Sequence, residues 1–140
     1  MIKDVIYKVE KISFTSKDLV AEIEKLIKKI KDLIDISEHN YYNIMVAVTE
    51  GINNAISHGN KKNSEKIIKV YIFLNSKQFA IKIKDEGKGF DIDNIKDPRS
   101  PDNLLKDNGR GVFLMRELSS NFKINSSNSG TTIEMIFNLE

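Results

Sequence analysis

A two-layer α/β sandwich, with a mostly antiparallel mixed sheet and helices on one face, is the fold class that this sequence predicts. Two observations lead there. Apolar residues recur at three- and four-residue steps over two stretches of the first half, from 16 to 34 and from about 37 to 57, as the buried stripe of a helix requires. The period then drops to two between 66 and 84 and again near the C-terminus, the alternation expected of strands that face a core on one side. Helices and strands in that order share a core as two packed layers. A chain of 140 residues, 40 % of them hydrophobic, is long enough for one domain with such a core.

Each element has its own warrant. Ile2 to Ile12 alternates loosely and reads as a first strand. Ser16 stands where an N-cap is expected, and Leu19, Ile23, Ile27 and Ile30 form the stripe of the first helix. The second helix starts at Ser37 or Glu38, runs to Ser57 and closes at His58-Gly59, where glycine accepts the left-handed conformation that ends helices. Ile44, Val48, Ile52 and Ile56 mark its apolar side, while Glu50, Asn53, Asn54 and Ser57 are grouped on the other. Lys66 to Leu74 and Gln78 to Lys84 make a hairpin about the turn Asn75-Ser-Lys77. The stretch from Glu86 to Asn108 is polar and reads as a long loop, a length that in compact domains is usually functional. A short helix over Gly111 to Leu118 follows, then strands over Asn121 to Asn125 and Thr131 to Leu139, joined by a turn ending in Gly130.

Composition removes several function classes. The net charge of +2 comes from 22 basic and 20 acidic residues mixed along the chain, which argues against direct nucleic-acid binding. No apolar run approaches the roughly 20 residues that span a bilayer, and the start Met1-Ile-Lys-Asp-Val lacks the pattern of a secretion signal, so a cytoplasmic location is expected. Without cysteine there is no disulfide framework and no thiol nucleophile, and the two histidines are too few for a zinc cage.

The chemistry concentrates in four blocks. Glu50 and Asn54, a carboxylate and a carboxamide at i, i+4, project from one side of a helix. Asp85-Glu-Gly87-Lys-Gly89 follows a strand, Gly109-Arg110-Gly111 precedes a helix, and Gly130-Thr131-Thr132 opens the last strand. Taken singly, a solvated helix face and an ordinary turn explain the first two. Common phosphate motifs do not fit. No Gly-Lys-Ser/Thr follows a four-residue spacer as in a P-loop, Ile92 stands at the third glycine of a dinucleotide fingerprint, and no His-Arg-Asp catalytic loop accompanies Asp85-Glu-Gly87.

In their order, these blocks resemble the four boxes of the GHKL ATPase superfamily, which includes gyrase and the histidine kinases. Within it the chain is most similar to the anti-sigma-factor serine/threonine kinases, through Gly109-Arg-Gly-Val-Phe-Leu-Met-Arg-Glu-Leu118, Asp97-Pro-Arg-Ser-Pro-Asp-Asn-Leu-Leu105 and the Ser57-His-Gly59 helix end. The resemblance implies the Bergerat-type ATP-binding fold and the cofactors ATP and Mg2+. By the same resemblance Asp85 accepts a hydrogen bond from the adenine amino group, Gly87 and Gly89 keep the floor beneath the base clear, and Thr131 or Thr132 supplements Asp85. Asn54 matches the magnesium ligand, in keeping with that cation's preference for oxygen. Gly109, Arg110 and Gly111 would receive the phosphates near the start of the following helix, where free amides favour anions; Arg110 either reaches a phosphate or faces solvent or a partner.

Glu50 matches the carboxylate that orients or deprotonates the attacking group, a serine hydroxyl in this branch. The implied partners are an anti-anti-sigma protein as substrate, a sigma factor, and a second copy of the chain in a homodimer. The segment from about 92 to 110 matches the lid over the triphosphate. Two other readings stay open: a module that uses nucleotide only to set partner affinity, and a stand-alone histidine-kinase-like ATPase domain.

Overall fold

The computed structural model describes residues 5–12, 16–59, 67–87 and 107–139. Strand β1 (Val5–Ile12) leads to helix α1 (Ser16–Ile34), helix α2 (Glu38–Asn53) and a π-helical turn (Asn54–Gly59). Strands β2 (Ile67–Leu74) and β3 (Gln78–Lys84), helix α3 (Asp107–Leu118), and strands β4 (Asn121–Ser127) and β5 (Gly130–Asn138) complete the order. The five strands lie in the sequence β1-β2-β3-β5-β4, with all four pairings antiparallel. This is the predicted two-layer sandwich.

Alternation decides which side of the sheet carries the helices. Ile68, Val70 and Ile72 on β2, Phe79, Ile81 and Ile83 on β3, and Ile133, Met135 and Phe137 on β5 are buried. They meet Leu19, Ile23 and Ile27 of α1, Ile44, Val48 and Ile52 of α2, and Val112 and Met115 of α3 in one cluster. Each fully buried Ile or Leu contributes roughly 1.5–3 kcal/mol. The intervening residues, such as Lys82 and Glu134, face away and form an ion pair of 3.5 Å across the open side.

Local chemistry explains the boundaries. The Asn75 side chain accepts from the amides of Lys77 and Gln78, each at 2.8 Å, and closes the β2–β3 hairpin. Ser37 caps α2, its extended backbone at φ −61° and ψ 155° letting Oγ accept from Asn40 N at 3.1 Å. A Lys31–Glu38 contact of 2.7 Å ties the end of α1 to the start of α2, and the Glu38 carboxylate raises the Lys31 ammonium above its ordinary pKa.

Asp35 ends α1 in the left-handed conformation, with φ 56° and its N–H bonded to Lys31 O at 3.1 Å. That conformation is strained for any side chain with a β-carbon, and an acidic group at a helix C-terminus opposes the helix dipole. Asp35→Gly is therefore expected to stabilise the protein by about 0.5–1 kcal/mol. A urea titration checks this, since the midpoint should rise at constant slope.

Several boundaries differ from the sequence reading. The second helix keeps its α form only to Asn53, and the predicted last turn to Ser57 widens into the π-turn, which packs against α3 and β5. A wider turn rotates less per residue, so Asn54, Ala55 and Ile56 are buried in succession. Helix α3 begins at Asp107 rather than at Gly111, so Gly109-Arg110-Gly111 lies inside the helix and does not precede it. Glycine is a poor helix former, but here α3 packs against α2 and the missing side chain of Gly111 permits the approach of Glu50. Strand β4 continues to Ser127 because Ser126 and Ser127 pair with Thr131 and Gly130. Gly89 and most of the predicted lid, residues 92–106, lie outside the described residues.

Candidate functional site

The pairing of β3 with β5 builds the first half of the site. Lys84 stands opposite Thr132, so the chain leaving β3 at Asp85 runs beside the chain entering β5 at Gly130 and Thr131. Asp85 N donates to Thr131 O at 3.0 Å. The Asp85 carboxylate, in a residue only 7 % exposed, accepts at Oδ1 from Gly87 N at 2.9 Å and from Thr131 N at 3.1 Å. Two amides on one carboxylate oxygen hold its direction. Thr131 is buried as well, its hydroxyl 2.8 Å from Ser126 Oγ on β4. Glu86 Oε1 accepts from Ile67 N at 2.5 Å, which fastens this corner to the start of β2.

Gly130 makes the corner possible. Its φ is +140°, and a β-carbon built on it would lie 2.1 Å from the Asp85 carbonyl oxygen. Only glycine fits such an approach of backbone to backbone.

Helix α2 supplies the second half. Gly51 lets the helix settle on the sheet: a β-carbon there would meet Ile83 Cδ1 at 2.7 Å, and Met115 Sδ and Met135 Cε at 3.4 Å. Ile83 is two residues before Asp85, so the helix segment bearing Glu50 and Asn54 lies over the end of the sheet that carries Asp85. Asn54 is only 4 % exposed, and neither atom of its carboxamide has a hydrogen-bond partner among the described residues. An unmet amide in such a place costs about 1–3 kcal/mol. Asn54 N–H bonds back to the carbonyl oxygens of Glu50 and Gly51, so the cap of α2 fixes the backbone between the two polar residues. Glu50 is half-buried, and its Oε2 points at α3, 3.0 Å from where a β-carbon of Gly111 would stand.

The predicted residues therefore form two groups on one end of the core. Asp85, Gly87 and Thr131 make one; Glu50, Asn54 and Gly111 make the other. Thr132 belongs to neither, because the strand alternation turns it to the open side of the sheet. There it lines a polar cavity of about 240 Å³ that Lys84, Asn125 and Ser127 share and that Asp85, Ser126 and Gly130 also border. Glu50 and Asn54 do not line that cavity. Gly109 and Arg110 lie in the first turn of α3, with Arg110 exposed. Sequence reasoning passed over Gly51, Ser126 and the role of Gly130. A glycine within a helical run signals close packing and was the available clue to Gly51.

A description of the histidine kinase-like ATPase domain matches residues 15–137, nearly the whole of the described fold. The chain belongs to the histidine kinase-like ATPase family. Among curated relatives it is similar to an anti-sigma F factor of Bacillus cytotoxicus, 30 % identical over 128 residues that cover 88 % of this chain and 81 % of that one. It is 29 % identical to a serine-protein kinase RsbW of Oceanobacillus iheyensis, over 69 % of this chain and 65 % of the relative. A Staphylococcus epidermidis serine-protein kinase RsbW is 34 % identical over 65 % of this chain, and the match spans 61 % of its length.

Solved structures agree on the fold of this ATPase family. The RsbU and RsbW domains of a Mycobacterium tuberculosis protein superpose with a TM-score of 0.60 at 14 % identity, covering 95 % of this chain and 32 % of that one. A histidine kinase domain from Erythrobacter litoralis EL346 superposes at 0.57 with 15 % identity, over 89 % of this chain and 61 % of that one. Among the described residues no helix is long and apolar enough to cross a membrane, and no cluster of His, Cys, Asp and Glu has the makings of a metal cage. Membership of the histidine kinase-like ATPase family implies that the chain binds ATP.

Proposed function

We propose that the protein is an ATP-dependent serine/threonine protein kinase that regulates a sigma factor by phosphorylating a serine of a STAS-type anti-anti-sigma protein. The observation that carries this reading is the Asn54 carboxamide, buried without a partner among the described residues and one helical turn from the Glu50 carboxylate. A polar group in that condition awaits a ligand, and the relatives named serine-protein kinase and anti-sigma F factor support a nucleotide and a serine as the two reactants. The cytoplasm, where sigma factors act, is the proposed location. A homodimer is the proposed assembly.

The proposed roles divide between the two groups. Asp85 selects adenine by accepting from its amino group, with Gly87 and Gly89 beneath the base and Thr131, not Thr132, beside it. The phosphates extend toward Gly109, Arg110 and Gly111 on α3, under a lid formed by the segment from about 92 to 110. The carboxamide oxygen of Asn54 is a hard donor suited to magnesium; once bound, that cation neutralises charge on the phosphates. Glu50 takes the proton from the serine hydroxyl while the new bond forms from oxygen to the γ-phosphorus. The bridging bond to the β-phosphate breaks and ADP leaves with its electron pair. Positioning and charge neutralisation supply most of the acceleration in such a transfer, and a general base adds about 10²–10⁴-fold.

The test uses γ-labelled ATP, magnesium and the STAS-type proteins encoded beside this one. The wild type is expected to label a serine, and Glu50→Gln to bind ATP as before while labelling at least about 100-fold more slowly. Equal labelling by both removes Glu50 as base. Nucleotide binding with no labelling by the wild type points instead to the non-catalytic partner-switching module.

A further inference from the structure

We infer that Gly111 is a positioning residue for Glu50: the absent side chain on α3 leaves the space in which the Glu50 carboxylate rests. This inference rests on the reading of Glu50 as the base. It gives Gly111 a duty distinct from touching phosphate.

The geometry is direct. A β-carbon built on Gly111 would stand 3.0 Å from Glu50 Oε2, tighter than nine in ten real contacts of that kind. Something must give, and the surroundings decide what. Gly111 is buried, and its neighbours Val112 and Met115 are locked in the core at 1 % and 0 % exposure, so α3 has no room to retreat. On the other side Gly51, next to Glu50, is held against Ile83, Met115 and Met135. Both backbones are thus fixed by packing. The free end of the Glu50 side chain is the part that moves.

The direction of the carboxylate is therefore set from across the helix pair. A methyl group at 111 would turn the carboxylate off the line it now holds, without opening a cavity in the core. Glycine is a poor helix former, so the same change should leave the fold at least as stable. Loss of function together with retained stability separates a positioning role from a structural one.

Gly111→Ala tests this in protein labelled with carboxyl-¹³C glutamate, the Glu50 signal being assigned by its disappearance in Glu50→Gln. The Glu50 carboxyl resonance is expected to shift, and the urea midpoint to stay level or rise. Turnover of saturating MgATP, with water as acceptor, should fall at least about tenfold, well beyond any loss of ATP affinity. Shortening the base should relieve the contact, so Gly111→Ala with Glu50→Asp is expected to turn over no more slowly than Gly111→Ala alone. An unmoved Glu50 resonance overturns the inference, as does a loss of turnover matched by an equal loss of ATP affinity. Glu50→Gln turning over at the wild-type rate overturns the reading of Glu50 as base, and the positioning role falls with it. A slow Glu50→Gln beside a fast Gly111→Ala overturns the positioning role alone.

Discussion

Gly130→Ala is expected to cause the largest loss of any single methyl addition in the described chain. The backbone at φ +140° is open to glycine and strained for alanine by about 1–3 kcal/mol. The steric conflict adds to this, because the new β-carbon would lie 2.1 Å from the Asp85 carbonyl oxygen and 3.1 Å from its carbon. Neither atom can yield cheaply, since the same stretch is pinned by Asp85 N to Thr131 O and by Thr131 N to Asp85 Oδ1. Relief requires pulling β3 from β5 at the corner where the carboxylate is held. A fall in the urea midpoint corresponding to about 3 kcal/mol or more is expected, with ATP binding lost even in conditions where the variant stays folded. A midpoint within experimental error of the wild type would show that the corner has slack the structure does not display.

Asp85→Asn has the second large effect, and it falls on the ligand rather than on the fold. The amide can turn its oxygen toward Gly87 N and Thr131 N, preserving the two bonds at 2.9 and 3.1 Å that hold the corner. With adenine placed as proposed, its nitrogen would then face the adenine amino group, donor against donor. A hydrogen bond to a charged group contributes about 1.5–3 kcal/mol, so ATP affinity is expected to fall by roughly 10- to 150-fold or more while the melting temperature of the nucleotide-free protein hardly moves. The stabilisation given by ATP in a thermal shift, about 2.7 kcal/mol at 100 times the dissociation constant, should fall to about 1.4 kcal/mol or less at the same concentration.

How much of this was legible in the chain depends on the range of the interaction. The β2–β3 hairpin could be placed almost to the residue because Asn75 carries the turn within its own neighbourhood. Helix α1 was equally plain, since its stripe and its length are local properties. The start of α3 was not, because two glycines within three residues look like loop until α2 is seen to pack against that helix at Gly111. The π-turn was hidden for a related reason: side-chain periodicity hardly distinguishes a wide final turn from an α-helical one.

The candidate site shows the same division. Glu50, Asn54 and Asp85 stood out as polar groups in a suggestive order, but Asn54 is buried in a π-turn that packs against α3 and β5, which lie more than fifty residues further on. Thr131 and Thr132 were indistinguishable as neighbours in sequence. The β3–β5 register separates them, placing one beside Asp85 and the other on the open face. Gly130 looked like a turn residue, and its contact with Asp85 across the sheet is visible only in three dimensions.

Recognition of ATP through the buried Asp85 carboxylate is the central claim, and calorimetric titration of MgATP into the wild type and Asp85→Asn tests it most directly. The wild type should bind one nucleotide per chain, and the variant should bind at least about tenfold more weakly, the equivalent of 1.4 kcal/mol. Equal affinity for the two proteins, or no heat with the wild type, would contradict the account.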